Sequence, residues 1–317
     1  MSMPAYQYVL AAFGLLSSFL NGAVIVAILK FRKSNSHLQG SYFMLVIFHA
    51  SADILLALEF ATLMRGRKYG HLNFILIEGS SLWVVLPRVT SVLHYYLKAV
   101  IYNGHILLSF NRFTSAFFPL SYESFWRSKR MLFARVMAWL LPWCFMLPVV
   151  LNSNRRMWYA RSAHDTIRLE SDGVTTQILS LIDGSLTFIA TVICTVFYAL
   201  SAFRISRKML KYGLQQKLSV EIRLFVSSFS FFSLLALNAV SQAWTIVASV
   251  QKKDDVVMLL NDLSYPLLDA LYSANPWILF ATSSTIRSAL LGLFLPARCS
   301  RDTTIRVGSS GSVRFAK

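Results

Sequence analysis

A chain of 317 residues that is 56% hydrophobic and only 14% charged is too apolar for an ordinary soluble domain, where about a quarter of residues are charged. Its formal net charge of +17 would suit nucleic acid, but apolar runs separate the basic clusters, no solvated basic face can form, and nucleic acid is set aside as a partner. The three cysteines, Cys144, Cys194 and Cys299, stand far apart with none in the expected outer loops, so neither a disulfide framework nor a metal cluster is indicated.

The hydrocarbon core of a bilayer is about 30 Å thick and takes roughly 20 apolar residues in helical form, because unpaired backbone groups cannot face lipid. Seven segments qualify. Tyr6 to Leu29 follows an uncharged start, which suits a retained span better than a cleavable signal peptide with its basic leader. Ser41 to Leu63 carries Asp53 at mid-membrane depth. Trp83 to Phe110 is interrupted by Arg88 and Lys98, and Pro87 marks the expected start of its regular helix. Phe133 to Leu151, Thr176 to Phe203, Ile222 to Val250 and Val256 to Thr282 complete the set. Beyond them Ile286, Ala289, Leu290, Leu293 and Phe294 recur at helical spacing beside Arg287, as in a helix lying in the membrane interface. The expected fold class is therefore an all-α membrane protein, a seven-transmembrane helix bundle with a short interfacial helix. Its domain spans 1–294, and 295–317 forms a disordered basic tail open to phosphorylation. Cys299 in that tail is as readily a bare thiol as a palmitoylation site.

Lys and Arg in the short loops set the orientation. With the amino terminus outside, 20 of the 31 fall on the cytoplasmic side and 10 on the outer side, leaving Lys98 within the membrane. About five residues precede the first span, so a ligand is expected to meet the bundle or its short loops. No internal repeat is visible, which argues against a transporter built from duplicated halves.

The third segment ends in Asn111-Arg112-Phe113-Thr114-Ser115-Ala116-Phe117-Phe118-Pro119-Leu120-Ser121-Tyr122. An arginine at a helix end is by itself equally a snorkelling anchor. The whole stretch, however, resembles the Asp-Arg-Tyr motif of rhodopsin-like receptors together with the Pro-Leu of their second cytoplasmic loop. Asn21 in the first span, Asp53 in the second and Asn275-Pro276 in the seventh agree with that resemblance. It implies that Asp53, Asn21 and Asn275 share a polar, hydrated network that rearranges on activation. Pro276 removes a backbone donor and offers a hinge. The departures are several: Asn111 replaces the acid beside the arginine, Leu279 stands where a tyrosine would fall, the sixth span lacks Trp-x-Pro, and the cysteine pair joining the third span to the second outer loop is missing. Within this divergence, Asn-Arg-Phe-Thr-x-x-Phe-Phe-Pro-x-x-Tyr-Glu running on to Trp126, and the ending Asn-Pro-Trp-Ile-Leu-Phe-Ala-Thr-Ser-Ser-Thr-Ile-Arg, resemble the nematode serpentine chemoreceptors, nearest to class gamma and class V. That resemblance implies chemosensation in sensory neurons. It also implies a small-molecule or peptide ligand, a heterotrimeric G protein as partner, and a multi-pass place in the cell membrane.

At 100° per residue, positions 7, 14 and 18 before Arg112 fall within about 40° of one helix face. They are His105, Lys98 and His94, and such a stripe belongs in the bundle interior. His94 and Lys98 are therefore candidates for the wall of a ligand pocket, with Asp183, Asp262 and Asp269 as counter-charges. A purely structural salt bridge of Lys98 is equally open. Tyr95, Tyr102, Trp244, Tyr265 and Tyr272 would add aromatic contact, or else face lipid and the interface. The loop 204–223 carries six basic residues and one acid, Glu221. Anionic lipid attracts such a loop, and a G protein is the further candidate. Since Asn111 cannot pair with Arg112 as an acid would, Glu221 is the expected restraint on that arginine.

No Gly-x-Ser-x-Gly elbow, His-Glu-x-x-His or phosphate loop occurs, so no enzyme is indicated and no cofactor is expected. A retinal Schiff base would need a lysine in the seventh span, and no basic residue lies between Lys253 and Arg287. The remaining alternative to a receptor is a transporter or channel whose polar pathway is lined by Asp53, Lys98, Asp183, Asp262 and Asp269.

Overall fold

The computed structural model describes residues 4–161, 166–212, 216–251 and 254–294. Helix α1 spans Ala5–Phe31, and a 3-10 turn at Ser36–Gln39 leads to α2, Ser41–Glu59. The chain then runs through a π turn, Phe60–Arg65, into the short helix Gly66–Lys68. Next come α3, Ser81–Phe117, one helical turn at Tyr122–Phe125, and α4, Ser128–Leu151. A hairpin of β1, Met157–Arg161, and β2, Ile167–Ser171, precedes α5, Gly173–Tyr212. The chain closes with α6, Gln216–Val250, α7, Asp254–Thr282, and α8, Ser284–Phe294.

Six of the seven expected spans lie within one of α1 and α3 to α7, and the second, Ser41 to Leu63, covers α2 and runs into the π turn that follows it. By length and composition five of these helices are apolar enough to cross a membrane, and a sixth span arises when Leu263–Thr282 is taken with Ser284–Phe294, to which it is bent by 97°. The remaining helix, α3, is the one interrupted by Arg88, Lys98 and Arg112, and its polar face accounts for the difference. The sharp bend is the turn from α7 into the expected interfacial helix. Ser283 makes it: its Oγ accepts the Ile286 N–H at 3.3 Å, capping α8, whose Ile286, Ala289 and Leu290 are buried.

Several boundaries differ from the sequence expectation, for local reasons. Helix α3 begins at Ser81 and not at Pro87, because the Ser80 Oγ accepts the Trp83 N–H at 3.2 Å and caps the helix a turn and a half earlier. The segment read as a loop at 204–223 is mostly helical: α5 runs on to Tyr212 and α6 starts at Gln216. At 1.5 Å per residue, the 40 residues of α5 extend roughly 60 Å, well beyond the hydrocarbon. The segment between α4 and α5, for which the sequence reading gave no secondary structure, carries the β1–β2 hairpin.

The apolar surface is inverted relative to a water-soluble bundle. Phe188, Ile189, Val240 and Trp244 stand exposed on the outside, which settles Trp244 among the outward-facing aromatics. Two apolar clusters fill the interior. One includes Leu56, Phe60, Leu97 and Leu235 in the half near the hairpin, and the other includes Val24, Leu45, Leu108 and Ile286 near Arg112. Between them α2 and α3 approach closely at Gly104, where an added Cβ would sit 2.9 Å from His49 Cδ2 and 3.3 Å from Phe48 Cε1. Since His49 is held by Asp53 and Asn275, it cannot yield. Gly104→Ala is expected to lower stability by about 1–2 kcal/mol despite the better helix propensity of alanine. Gly22→Ala, with nothing within 4 Å, is the matched control, and thermal melting of the purified proteins compares the two.

Candidate functional site

The four polar residues of the α3 stripe all point inward: His94, Lys98, His105 and Arg112 are 8, 7, 2 and 7% exposed. Burial at this depth requires a partner for each charge. Lys98 Nζ donates to Asp183 Oδ2 on α5. Asp183 also accepts from the Tyr102 hydroxyl at 3.2 Å and from Gln242 Nε2 at 2.9 Å, and Asn238 Nδ2 donates to the Tyr102 oxygen at 3.3 Å. Asp269 on α7 serves a different cation, Arg65. Both terminal nitrogens of that guanidinium reach its two carboxylate oxygens, and the Tyr272 hydroxyl donates to the same carboxylate. Arg65 Nε donates to Gln7 Oε1 at 3.0 Å, and the guanidinium lies 4.7 Å from the Phe60 ring centroid. His94 Nδ1 is 3.1 Å from Glu59 Oε2, with its ring stacked near Phe60 and edge-on to Tyr95. The side chain of Asp262 lies outside the described residues.

Arg65, Glu59 and Gln7 were not singled out by sequence, and Arg65 was assigned to an outer loop. At 100° per residue it falls about 120° round from Asp53. The π turn at Phe60–Arg65 advances each residue through a smaller angle and so carries Arg65 onto the inward face. A uniform helical period cannot reveal this.

One level further along the bundle, Asp53 and Asn275 meet as the rhodopsin-like resemblance implies: Asn275 Nδ2 donates to Asp53 Oδ2. His49, which the sequence reading passed over, joins them, with Nδ1 at 3.2 Å from that oxygen and 3.1 Å from Asn275 Nδ2. The His49 and His105 rings stand edge to face with centroids 4.6 Å apart. Asn21 on α1 is buried, but its side-chain oxygen has no hydrogen-bond partner among the described residues, so no bond joins it to Asp53 or Asn275 through that atom. Helix α7 continues through Pro276, so the break in chain direction falls at Ser283 and not at this proline.

At the far end Asn111 replaces the usual acid and bonds to the loop instead. Its Nδ2 donates to the Tyr122 hydroxyl at 2.9 Å and to Ser41 Oγ at 3.2 Å, while Trp126 Nε1 donates to Thr114 Oγ1 at 2.8 Å. The Tyr and Trp of the motif thus fold back onto the helix that carries its Asn and Arg. Arg112 is seated over the Tyr42 ring, 3.7 Å from its centroid, and its Nε donates to Ser228 Oγ on α6 at 3.4 Å. Glu221, the expected restraint on Arg112, has its side chain outside the described residues, as does Cys299.

The hairpin lies over the opposite end without a disulfide. Arg67 donates to the Ile167 carbonyl at 2.9 Å, the Tyr159 and Thr90 hydroxyls are 3.1 Å apart, and Tyr159 packs edge-on to Trp83. None of His94, Tyr95, Lys98, Asp183, Asp269 and Tyr272 borders the cavity that opens beside this hairpin.

A comparison with curated proteins finds none that matches. A family model described as serpentine type 7TM GPCR chemoreceptor Srv matches residues 16–294, from the middle of α1 to the last residue of α8. It agrees with the class V half of the sequence resemblance, and it describes receptors and not enzymes. A multi-pass helical bundle with an inward polar row on α3, closed by the Asn111–Arg112 motif and matched over that length, belongs to the serpentine type 7TM GPCR chemoreceptor Srv family.

Proposed function

We propose that this chemoreceptor takes its ligand in the half of the bundle beneath the hairpin and passes the signal along α3 to a heterotrimeric G protein at the Arg112 end. The amino terminus then faces outside, 1–294 forms the membrane domain and 295–317 is a cytoplasmic tail. The observation that carries this reading is the buried polar row of α3, with ion-paired groups at one end and Arg112 at the other. Groups at the first end are tied across helices: Lys98 to Asp183 joins α3 to α5, His94 to Glu59 joins α3 to α2, and Arg65 to Asp269 joins the π turn after α2 to α7. A polar or charged small molecule or a peptide terminus that competes for one of these groups, with Tyr95 and Tyr272 beside them, shifts α3 against its neighbours. Arg112 touches α2 through Tyr42 and α6 through Ser228, so that shift changes its seat. Asp53, Asn275 and Pro276 supply a polar joint between the two ends, and Asn111 anchors the loop that a G protein would meet.

Reconstitution tests the class of function. Full-length protein in lipid vesicles is expected to accelerate nucleotide exchange on an added heterotrimeric G protein, with no ion flux across the same vesicles. A flux without any effect on exchange would favour a transporter or channel in its place.

A further inference from the structure

A groove of about 1140 Å³ opens on the flank of the bundle between α3, α4 and the hairpin, slightly above the usual range for small-molecule pockets of about 300–1,000 Å³. Its walls are apolar: Val84, Val85 and Val89 of α3 face Trp143 and Val150 of α4. The three valines are 69, 57 and 45% exposed, so this wall is open to the acyl-chain side of the bundle and not to its interior. At the hairpin end the lining changes to Arg88, Arg155 and Arg156. Arg88 stands one turn from Val84 and Val85 and is fixed by donating to the carbonyls of Val150, at 3.4 Å, and Arg155, at 2.5 Å.

None of the three guanidinium groups forms an ion pair among the described residues. The carboxylate in the lining, Asp172, is engaged elsewhere: it accepts from the Thr175 hydroxyl and N–H and from the Arg156 N–H at 2.6, 2.9 and 2.8 Å. Those bonds, with a smaller contribution from the nearby Arg155 charge, hold its carboxyl down to about 2 and tie it to the start of α5. Three cations against the single carboxylate of the lining leave a net positive charge at the mouth of an apolar slot of this size, and that pairing is complementary to one ligand shape.

We propose that the groove binds an amphiphile with an anionic head and a long acyl tail, the head at Arg88, Arg155 and Arg156 and the tail along Val85, Val89 and Trp143. A free long-chain carboxylate and an anionic phospholipid of the bilayer share this chemistry. Val92 and Tyr96, only 6 and 8% exposed, border the groove and also belong to the apolar core, so an occupant bears on α3 at the level of His94 and Lys98. The site goes beyond the interior pocket proposed above and stands on different residues.

The test uses the full-length protein in phosphatidylcholine nanodiscs without G protein, labelled by a diazirine-bearing palmitate or by its methyl ester, with mapping of the labelled peptides. The acid is expected to label residues 84–96 and 143–158 saturably at about tenfold lower concentration than the ester, the factor one charge-assisted contact supplies. Excess oleate should displace it. Phosphatidylglycerol added to the nanodisc should displace it as well if the bilayer is the natural source, and should leave labelling unchanged if the free acid is; either result supports the site. Arg88→Gln together with Arg155→Gln should remove the preference for acid over ester. Since Arg88 also holds two carbonyls, Val89→Trp is the second variant: it fills the slot, leaves all three cations in place, and should abolish saturable labelling. Equal labelling by acid and ester in the unaltered protein, or unsaturable labelling spread over the lipid faces of α4 and α5, would overturn the proposal.

Discussion

Lys98→Met is expected to cost about 3–5 kcal/mol of stability, because it leaves the Asp183 carboxylate buried without its cation. Tyr102 and Gln242 would still donate to that carboxylate, but two neutral donors do not offset the loss of an ammonium in a low-dielectric interior. Asp183→Leu should be damaged comparably, with the ammonium now unpaired. The double variant Lys98→Met/Asp183→Leu carries no buried charge at this level and should recover most of the stability. Melting temperature in detergent and surface abundance in cells read all three. Singles as stable as the wild type, or a double no better than the worse single, would mean that the pair contributes nothing to the bundle.

Arg65→Lys, conservative in charge, is expected to cost about 2–3 kcal/mol. A lysine ammonium reaches one carboxylate oxygen where the guanidinium reaches both oxygens of Asp269. It also loses the Nε bond to Gln7, which links the π turn to α1, and the planar contact with the Phe60 ring of the same turn. Arg65→Met should be worse, at about 3–5 kcal/mol, since Asp269 is fully buried. Thermal melting decides it. An Arg65→Lys protein that melts with the wild type would show that charge alone, without the fork, holds these helices.

The seven spans and the inward stripe of α3 were legible because both rest on uniform helical geometry. Apolar length marks each span, and a spacing of 7, 14 and 18 residues places His105, Lys98 and His94 on the face of Arg112. The interfacial helix was legible for the same reason. What escaped are features where that geometry changes. The π turn rotates Arg65 inward and so gives Asp269 to it, while Lys98 pairs with Asp183. Glu59 and His49 lay within an expected span, yet single polar residues carry no partner information, and their partners His94 and Asn275 stand 35 and 226 residues away. The hairpin was missed because the first strand, Met157–Arg161, opens on four consecutive apolar or aromatic residues without alternation, which leaves the short alternation of Ile167–Ser171 without a visible partner. At the other end, the Asn for acid exchange at position 111 was plain, and its consequence was not. Asn111 reaches Tyr122, a residue of its own motif, while Arg112 rests on Tyr42 of the neighbouring helix.

That Arg112 links the polar row to a G protein is tested most directly by comparing wild type with Arg112→Ala in reconstituted nucleotide exchange. The alanine protein should melt near the wild type, since Arg112 forms no ion pair among the described residues, and exchange should fall on the order of tenfold or more. Undiminished exchange in a well-folded Arg112→Ala protein would contradict the signalling route along α3.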